Sequence, residues 1–216
     1  MRSNDKAAHM VAVVLVFILA VLLVGGCLDV GLPQGEDISE EEAAAVQAEL
    51  QGQIEHVASN APGLATTIHD LINEERRQEG LRSLQWDQSL ARIAFDHSKD
   101  MAERDYFDHL SPEGEDFADR YTEHDYHKET RVGDTVYVGG ENLSLTNVVR
   151  SYTYDPETGQ VHSYEFNDLE ELARSTVQGW MDSPGHRENI LTPFTREGIG
   201  IYVTAEGEVY ITENFS

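Results

Sequence analysis

Apolar residues recur at three- and four-residue steps in three long stretches of the chain, which predicts three amphipathic helices. The stretches are 62–80, 88–101 and 169–182. Gly80 supplies a stop for the first helix, and Asp87 is a suitable N-cap for the second. The third is expected to end at Pro184, because a residue that precedes proline is disfavoured in the helical region. A shorter helix is predicted through Phe117 and Tyr121.

The pattern becomes strictly alternating near the C-terminus, which predicts a β-hairpin. Ile199, Ile201 and Val203 alternate with small or polar residues before a turn at "AEGE", and the alternation resumes through Val209 and Ile211. The mid-chain segment "GDTVYVGGENLSL" is also expected to be extended, and the turn-rich segment that follows it resembles an insertion. Helices followed by a terminal hairpin predict an α+β domain whose sheet is mainly antiparallel.

The N-terminal residues follow neither pattern and divide the chain into three parts. Residues 1–27 contain two basic residues and then an uncharged apolar run at 10–26, which is typical of a signal segment or an uncleaved membrane anchor. Residues 28–61 carry eight acidic residues and no lysine or arginine, so we expect a solvated acidic linker. Residues 62–216 are the predicted folded domain, which would be exported and held at the cell surface.

Cys27 is the only cysteine of the chain, which excludes an intramolecular disulfide. The sequence "VGGC" that ends in Cys27 resembles the lipobox of exported lipoproteins, in which the cysteine is lipidated. The alternative is an unmodified cysteine within a membrane-embedded helix. Both alternatives predict attachment to the membrane through the N-terminus.

The charge balance is strongly acidic: 40 aspartates and glutamates against 15 lysines and arginines give a net charge of −25. At about 1 M salt the Debye length is only about 3 Å, so surface carboxylates scarcely repel one another. The composition therefore predicts a halophilic protein from an archaeal source, the alternative being an acidic surface without environmental meaning. Nucleic acid is excluded as a partner, because binding to phosphates requires clustered cations.

Three short stretches combine an ionisable side chain with residues that constrain the backbone: "YFDHLSP" with His109, "GGENLS" with Glu141 and "SPGHRENIL" with His186. In the last, Gly185 is expected to adopt an unusual backbone angle and to reverse the chain before His186. A His124–His127 pair lies in an acidic, turn-like region and is a weaker candidate. His97 lies on an apolar helix face, which favours a hydrogen-bonded core histidine.

Together with the residues around them, these stretches resemble the CAP superfamily, which includes cysteine-rich secretory proteins, antigen 5 and pathogenesis-related 1 proteins. The motifs are "N-x-x-R-x-x-x-G-L-x-x-L-x-W-D" at 73–87, "Y-F-x-H" at 106–109, "G-E-N" at 140–142, "W-M-x-S-P-G-H-R-x-N-I-L" at 180–191 and "E-N-F" at 213–215. The resemblance implies a three-layer α-β-α sandwich and a cleft in which His109, His186 and Glu141 meet, often around a divalent metal. A second family glutamate would fall at Ser183, so the full set of four is not present.

Two chemistries remain open for this cleft. Two imidazoles and one carboxylate could bind zinc or another divalent cation and leave one coordination position open. A glutamate between two imidazoles is equally self-consistent without metal, because hydrogen bonds hold both rings. No G-x-S-x-G motif is present, which argues against a serine hydrolase of that kind.

The leading hypothesis is therefore a cell-surface protein, non-enzymatic, that binds a lipid-like, peptide or envelope ligand through the His109–Glu141–His186 cleft. A metal-dependent, peptidase-like hydrolase is the first alternative, with Glu141 as metal ligand or general base. A structural envelope protein, in which the three residues only stabilise the fold, is the second.

Overall fold

The computed structural model describes residues 38–216, which form six helices and eight strands. The helices are α1 (Glu40–Ser59), α2 (Ala61–Gln78), α3 (Gln88–Glu103), α4 (Phe117–Glu123), α5 (Leu169–Asp182) and α6 (Pro184–Leu191). The strands are β1 (Gln85–Trp86), β2 (Thr130–Val132), β3 (Thr135–Tyr137), β4 (Gly140–Asn147), β5 (Val149–Tyr154), β6 (Val161–Phe166), β7 (Arg196–Val203) and β8 (Glu208–Phe215). The predicted signal or anchor segment and Cys27 lie outside the described residues. Within 38–216, no helix combines the length and the apolar character needed to cross a membrane.

A four-stranded sheet in the order β1-β7-β8-β4 organises the domain. The predicted C-terminal hairpin is β7–β8, with Ile201 opposite Ile211. β4 pairs antiparallel with β8, and the short β1 joins β7 in parallel. The prediction of an α+β fold with a mainly antiparallel sheet is confirmed. The predicted insertion is a separate hairpin of β5 and β6.

Helices cover both faces of this sheet, which gives the three expected layers. On one face, Ile199, Ile201 and Ile211 of the sheet share a core with apolar residues of α1, α2, α5 and α6. On the other face, α3 lies directly against β7, where Gly200 leaves no room for a side chain. A Cβ at Gly200 would lie 1.9 Å from the backbone nitrogen of Phe95.

The prediction of a solvated acidic linker for residues 28–61 does not hold for residues 40–59, which form helix α1. Ser39 caps α1 with a capping box, and α1 places Ile54 and Val57 in the main core. Helix α1 therefore belongs to the folded domain. The sequence pattern concealed this packing because few large apolar residues are spread over its 20 positions.

Candidate ligand-binding cleft

Glu141 is the centre of the candidate site. It lies near the start of β4, an edge strand of the main sheet, on the face that α3 covers. Its side chain is only 1% exposed. A buried carboxylate is costly unless it is paired, so the neighbours of Glu141 decide what the site does.

His109 is the first partner of Glu141 and comes from the loop between α3 and α4. Its Nδ1 lies 2.9 Å from Glu141 Oε1. The His109 side chain is half exposed, so one side of its ring meets solvent while the other meets the buried carboxylate. The sequence motifs therefore identify two residues that do contact each other.

Arg120 of α4 is the second partner, and the sequence analysis missed it. Its Nη2 donates to Glu141 Oε2 at 2.6 Å and to the backbone oxygen of His109 at 3.2 Å. Its Nη1 donates to the backbone oxygen of Glu115 at 3.1 Å. A signal was available, because Arg120 is the only lysine or arginine in the acidic segment 105–125.

His97 of α3 is the third group near the glutamate. It is buried, as expected for a core histidine, but its Nε2 makes no hydrogen bond and lies 3.9 Å from Glu141 Oε1. Burial lowers the pKa of His97, with the nearby Glu141 opposing that shift. The interpretation of His97 as a hydrogen-bonded structural residue did not anticipate this proximity to the cleft.

His186 lies in the first turn of α6, with its ring centre 6.4 Å from the ring centre of His109. No hydrogen bond joins His186 to Glu141 among the contacts of residues 38–216. The expected role of Gly185 is wrong, since it is not among the residues with positive φ. The change of direction occurs instead at Ser183, an extended residue that precedes Pro184.

Two asparagines hold α6 against β4 and so position His186. Asn142 Nδ2 donates to the backbone oxygen of His186 at 3.2 Å. Asn189 Nδ2 donates to the backbone oxygen of Glu141 at 3.0 Å and to Asn142 Oδ1 at 2.9 Å. Both belong to the sequence motifs. In the structure they hold α6, which carries His186, against β4, which carries Glu141.

The pKa values of the two histidines of the cleft are shifted in opposite directions. The hydrogen bond to Glu141 raises the pKa of His109, which favours the imidazolium. Burial, followed by the neighbouring His109, lowers the pKa of His186, which favours the neutral ring. His109 is thus the more readily protonated of the two rings.

A divalent metal does not fit this arrangement of side chains. Both oxygens of Glu141 are engaged, one of them by a guanidinium whose charge opposes a bound cation. Ser183, in the place of the second family glutamate, supplies no carboxylate. In the part of the chain that the structure describes, no group of three or more His, Cys, Asp and Glu side chains is arranged to hold a metal ion.

A second concavity, which we call the α2–α3 groove, lies along β7. It has a volume of about 730 Å³. Its floor is β7 from Ile199 to Val203 and its walls come mainly from α2 and α3, with Trp86 and Phe95 at its surface. These two aromatic side chains are 38% and 40% exposed. No motif pointed to this groove, because it is made of small and apolar residues.

Comparisons with known proteins agree with this fold. The family model for the CAP domain, described as the cysteine-rich secretory protein family, matches residues 69–215. Two proteins of Bacillus subtilis (strain 168) are similar: the uncharacterized membrane protein YlbC, 31% identical over 151 residues, and the uncharacterized protein YkwD, 29% identical over 171 residues. These alignments cover 68% and 76% of this chain but only 33% and 54% of the two relatives.

Among solved structures, an outer surface protein from Borrelia burgdorferi matches with a TM-score of 0.52 at 17% identity. The match covers 71% of this chain and 91% of that one. At this identity the likeness concerns the fold alone.

Proposed function

Because the chain belongs to the CAP family of cysteine-rich secretory proteins, we propose that it is a non-enzymatic ligand-binding domain of the cell surface. Its ligand is lipid-like and lies with an apolar chain in the α2–α3 groove. The His109–Glu141–His186 cleft provides a separate polar site whose charged partners stabilise the fold.

The observation that carries this proposal is the apolar surface of the groove. Sites for small molecules are typically concavities of several hundred Å³ with mainly apolar lining and a few polar groups. The α2–α3 groove has such a lining, with Thr66, Gln88 and Arg92 as polar groups at its walls. Trp86 and Phe95 are exposed beside this groove. An acyl chain that covers their rings removes apolar surface from water, which favours binding.

The location at the cell surface has two supports. The N-terminal apolar run after Arg2 and Lys6 is typical of an export or anchor segment. The similar protein YlbC is described as a membrane protein. Attachment through a lipid on Cys27 or through an uncleaved helix is compatible with both supports.

The contacts of Glu141 argue against the alternative of a metal-dependent hydrolase. A general base must accept a proton from a water molecule within hydrogen-bond reach. Glu141 is buried and already accepts from Arg120 and pairs with His109. The contacts of Glu141 therefore favour a role in stabilising the fold. The rings of His109 and His186 remain available to a polar group of a ligand.

Quenching of tryptophan fluorescence by a brominated fatty acid tests the proposal directly. Trp86 lines the groove, whereas Trp180 is buried in the core. We expect saturable quenching of the full-length protein in high salt. Phe95→Ser should weaken binding by up to about tenfold, because full burial of a phenylalanine contributes roughly 1.5–3 kcal/mol and Phe95 is 40% exposed before the ligand covers it.

The matched control is Leu145→Ser, which removes a similarly exposed apolar side chain outside the groove. His109→Ala and His186→Ala should bind as the wild type does. Loss of binding in the histidine variants, with Phe95→Ser unaffected, would place the ligand in the cleft instead. Absence of any saturable quenching would refute a lipid-like ligand in the groove.

A further inference from the structure

Two glutamates lie fully buried on the sheet face opposite to Glu141. Glu197 of β7 and Glu213 of β8 are both 0% exposed. Glu197 pairs with Phe215 and Ile199 pairs with Glu213, so the two glutamates are diagonal neighbours on one face. Asn142 of β4 stands directly opposite Glu213 on the same face.

The two carboxyl groups lie close enough for a hydrogen bond between them to act on the pKa of each. Carboxylate oxygens are acceptors only, so such a bond requires that one of the two groups carries a proton. Glu197 Oε2 and Glu213 Oε1 accept no hydrogen bond from any other donor within residues 38–216. The proton between the carboxyl groups therefore accounts for the lack of other partners.

The outer oxygens of the pair have partners that are consistent with one shared proton. Glu213 Oε2 accepts from Asn142 Nδ2 at 3.0 Å. Glu197 Oε1 is in contact with His69 Nδ1 of α2. His69 Nε2 lies 3.2 Å from Asn73 Nδ2, which is a donor. His69 is thus the neutral tautomer with its proton on Nδ1, which it donates to Glu197 Oε1.

We propose that Glu197 and Glu213 form a proton-dependent latch: one shared proton holds β7, β8, α2 and α6 together, and its loss loosens α2 and α6 from the sheet. The link to α2 is His69. The link to α6 is Asn142, which donates both to Glu213 and to the backbone oxygen of His186. The latch thereby connects the protonation of the core to the position of His186, which goes beyond the proposed function.

The charged groups that face the pair are few. From α2, His69 contacts Glu197, Asp70 acts on His69, and Arg76 acts on both glutamates at longer range. The guanidinium of Arg76 donates to the backbone oxygens of Arg82, Ile190, Thr192 and Phe194 and not to a carboxylate. Asn142, the contact from β4, is uncharged. No cation among the described residues therefore replaces the shared proton when the second carboxyl ionises.

The direction of the titration follows from burial. Burial raises the pKa of Glu197 to about 7, and burial together with the charge of Glu197 raises the pKa of Glu213 well above its ordinary value. The folded protein thus binds protons that the unfolded chain has released. The stabilisation is complete below about pH 4.5, the ordinary value for glutamate, and it is lost progressively as the pH rises through 7 and beyond.

The test compares Glu213→Gln with wild type in melting experiments from pH 5 to pH 9 at constant high salt. A glutamine at 213 accepts from Asn142 and donates to Glu197 without a proton to lose, so it imitates the latched state. For the wild type we expect the unfolding equilibrium constant to rise by up to about tenfold per pH unit for each proton released. We expect a smaller rise in Glu213→Gln and a higher melting temperature than wild type at pH 9.

The matched control is Glu206→Gln, an exposed glutamate in the β7–β8 turn, which should follow the wild type. Equal pH dependence in Glu213→Gln and wild type would overturn the proposal. If the variant does not fold, infrared spectra of the wild type decide instead. A carbonyl band of a protonated carboxylic acid that persists at pH 7 supports the latch, and its absence overturns it. Protection factors of the α6 amides, which are corrected for the base-catalysed intrinsic exchange rate, should be lower at pH 9 than at pH 6 in the wild type and not in Glu213→Gln only if the latch reaches His186.

Discussion

The two faces of the central sheet bury negative charge in different ways. On the α3 face, Glu141 is neutralised by a guanidinium and a histidine. On the opposite face, Glu197 contacts His69 and Glu213 accepts from Asn142, but neither has a guanidinium at hydrogen-bond distance, and the pair relies on a shared proton. The first arrangement does not depend on a carboxyl proton, whereas the second does, so one domain combines a pH-tolerant and a pH-sensitive core. The exposed carboxylates, whose mutual repulsion is screened by salt, form a third class.

Removal of salt should have the largest effect, because it acts on all the exposed carboxylates and on neither buried group. With a net charge of −25, repulsion acts over about 10 Å at 0.1 M salt but only about 3 Å at 1 M. We expect the melting temperature to rise steadily with KCl concentration and the fold to be lost at low salt, as measured by circular dichroism. A melting temperature independent of salt would contradict the halophilic interpretation.

Arg120→Leu should have the next largest effect. It leaves Glu141 as a buried charge without its cation, which costs about 3–5 kcal/mol. The free energy of unfolding from urea titration measures the loss. Adding Glu141→Gln to the same chain should restore much of it, since the charge that Arg120 neutralised is then gone. A single variant that unfolds with less than about 1 kcal/mol of loss would show that the pair is not effectively buried.

Asn142→Ala should cost less, because it removes hydrogen bonds rather than a charge partner. Glu213 Oε2 and the backbone oxygen of His186 both lose a buried donor. The expected loss of unfolding free energy is about 1–3 kcal/mol. Asn167→Ala, which removes one bond to the backbone oxygen of Asn147 at a half-buried position, is the matched control. A similar loss in both variants would indicate that Asn142 does not link Glu213 to α6.

His109→Ala should have the smallest effect, because the imidazole is half exposed and its ion pair is screened by solvent. The pKa of His109 is raised, so its contribution is complete below about pH 6.5 and disappears as the pH rises through the raised value. We expect a loss of less than about 1 kcal/mol at pH 6 and a smaller one at pH 9. If the loss of unfolding free energy in His109→Ala grew with pH, the pKa of His109 would be lowered rather than raised by folding.

Periodicity was sufficient to predict most elements, and the motifs contain His109 and Glu141, which contact each other, and His186, whose ring lies near that of His109. The same alternation predicts that two glutamates of the hairpin face the core. Glu197 and Glu213 have the same parity as Ile199 and Ile211, which lie in the core, so both glutamates occupy inward-facing positions. Alternation identifies the face of a strand, but it does not show which residue of a neighbouring strand stands beside it.

The sequence by itself determined the fold class, the extent of the hairpin and the three motif residues, because local periodicity and short motifs are properties of neighbouring positions in the chain. Only the tertiary structure decided that Arg120 and His97 approach Glu141, that α1 packs on the core, and that Glu197 and Glu213 lie together in the core. Those outcomes depend on contacts between distant residues, and the free energy of a buried charge is set by whichever group the fold brings to within a few ångströms.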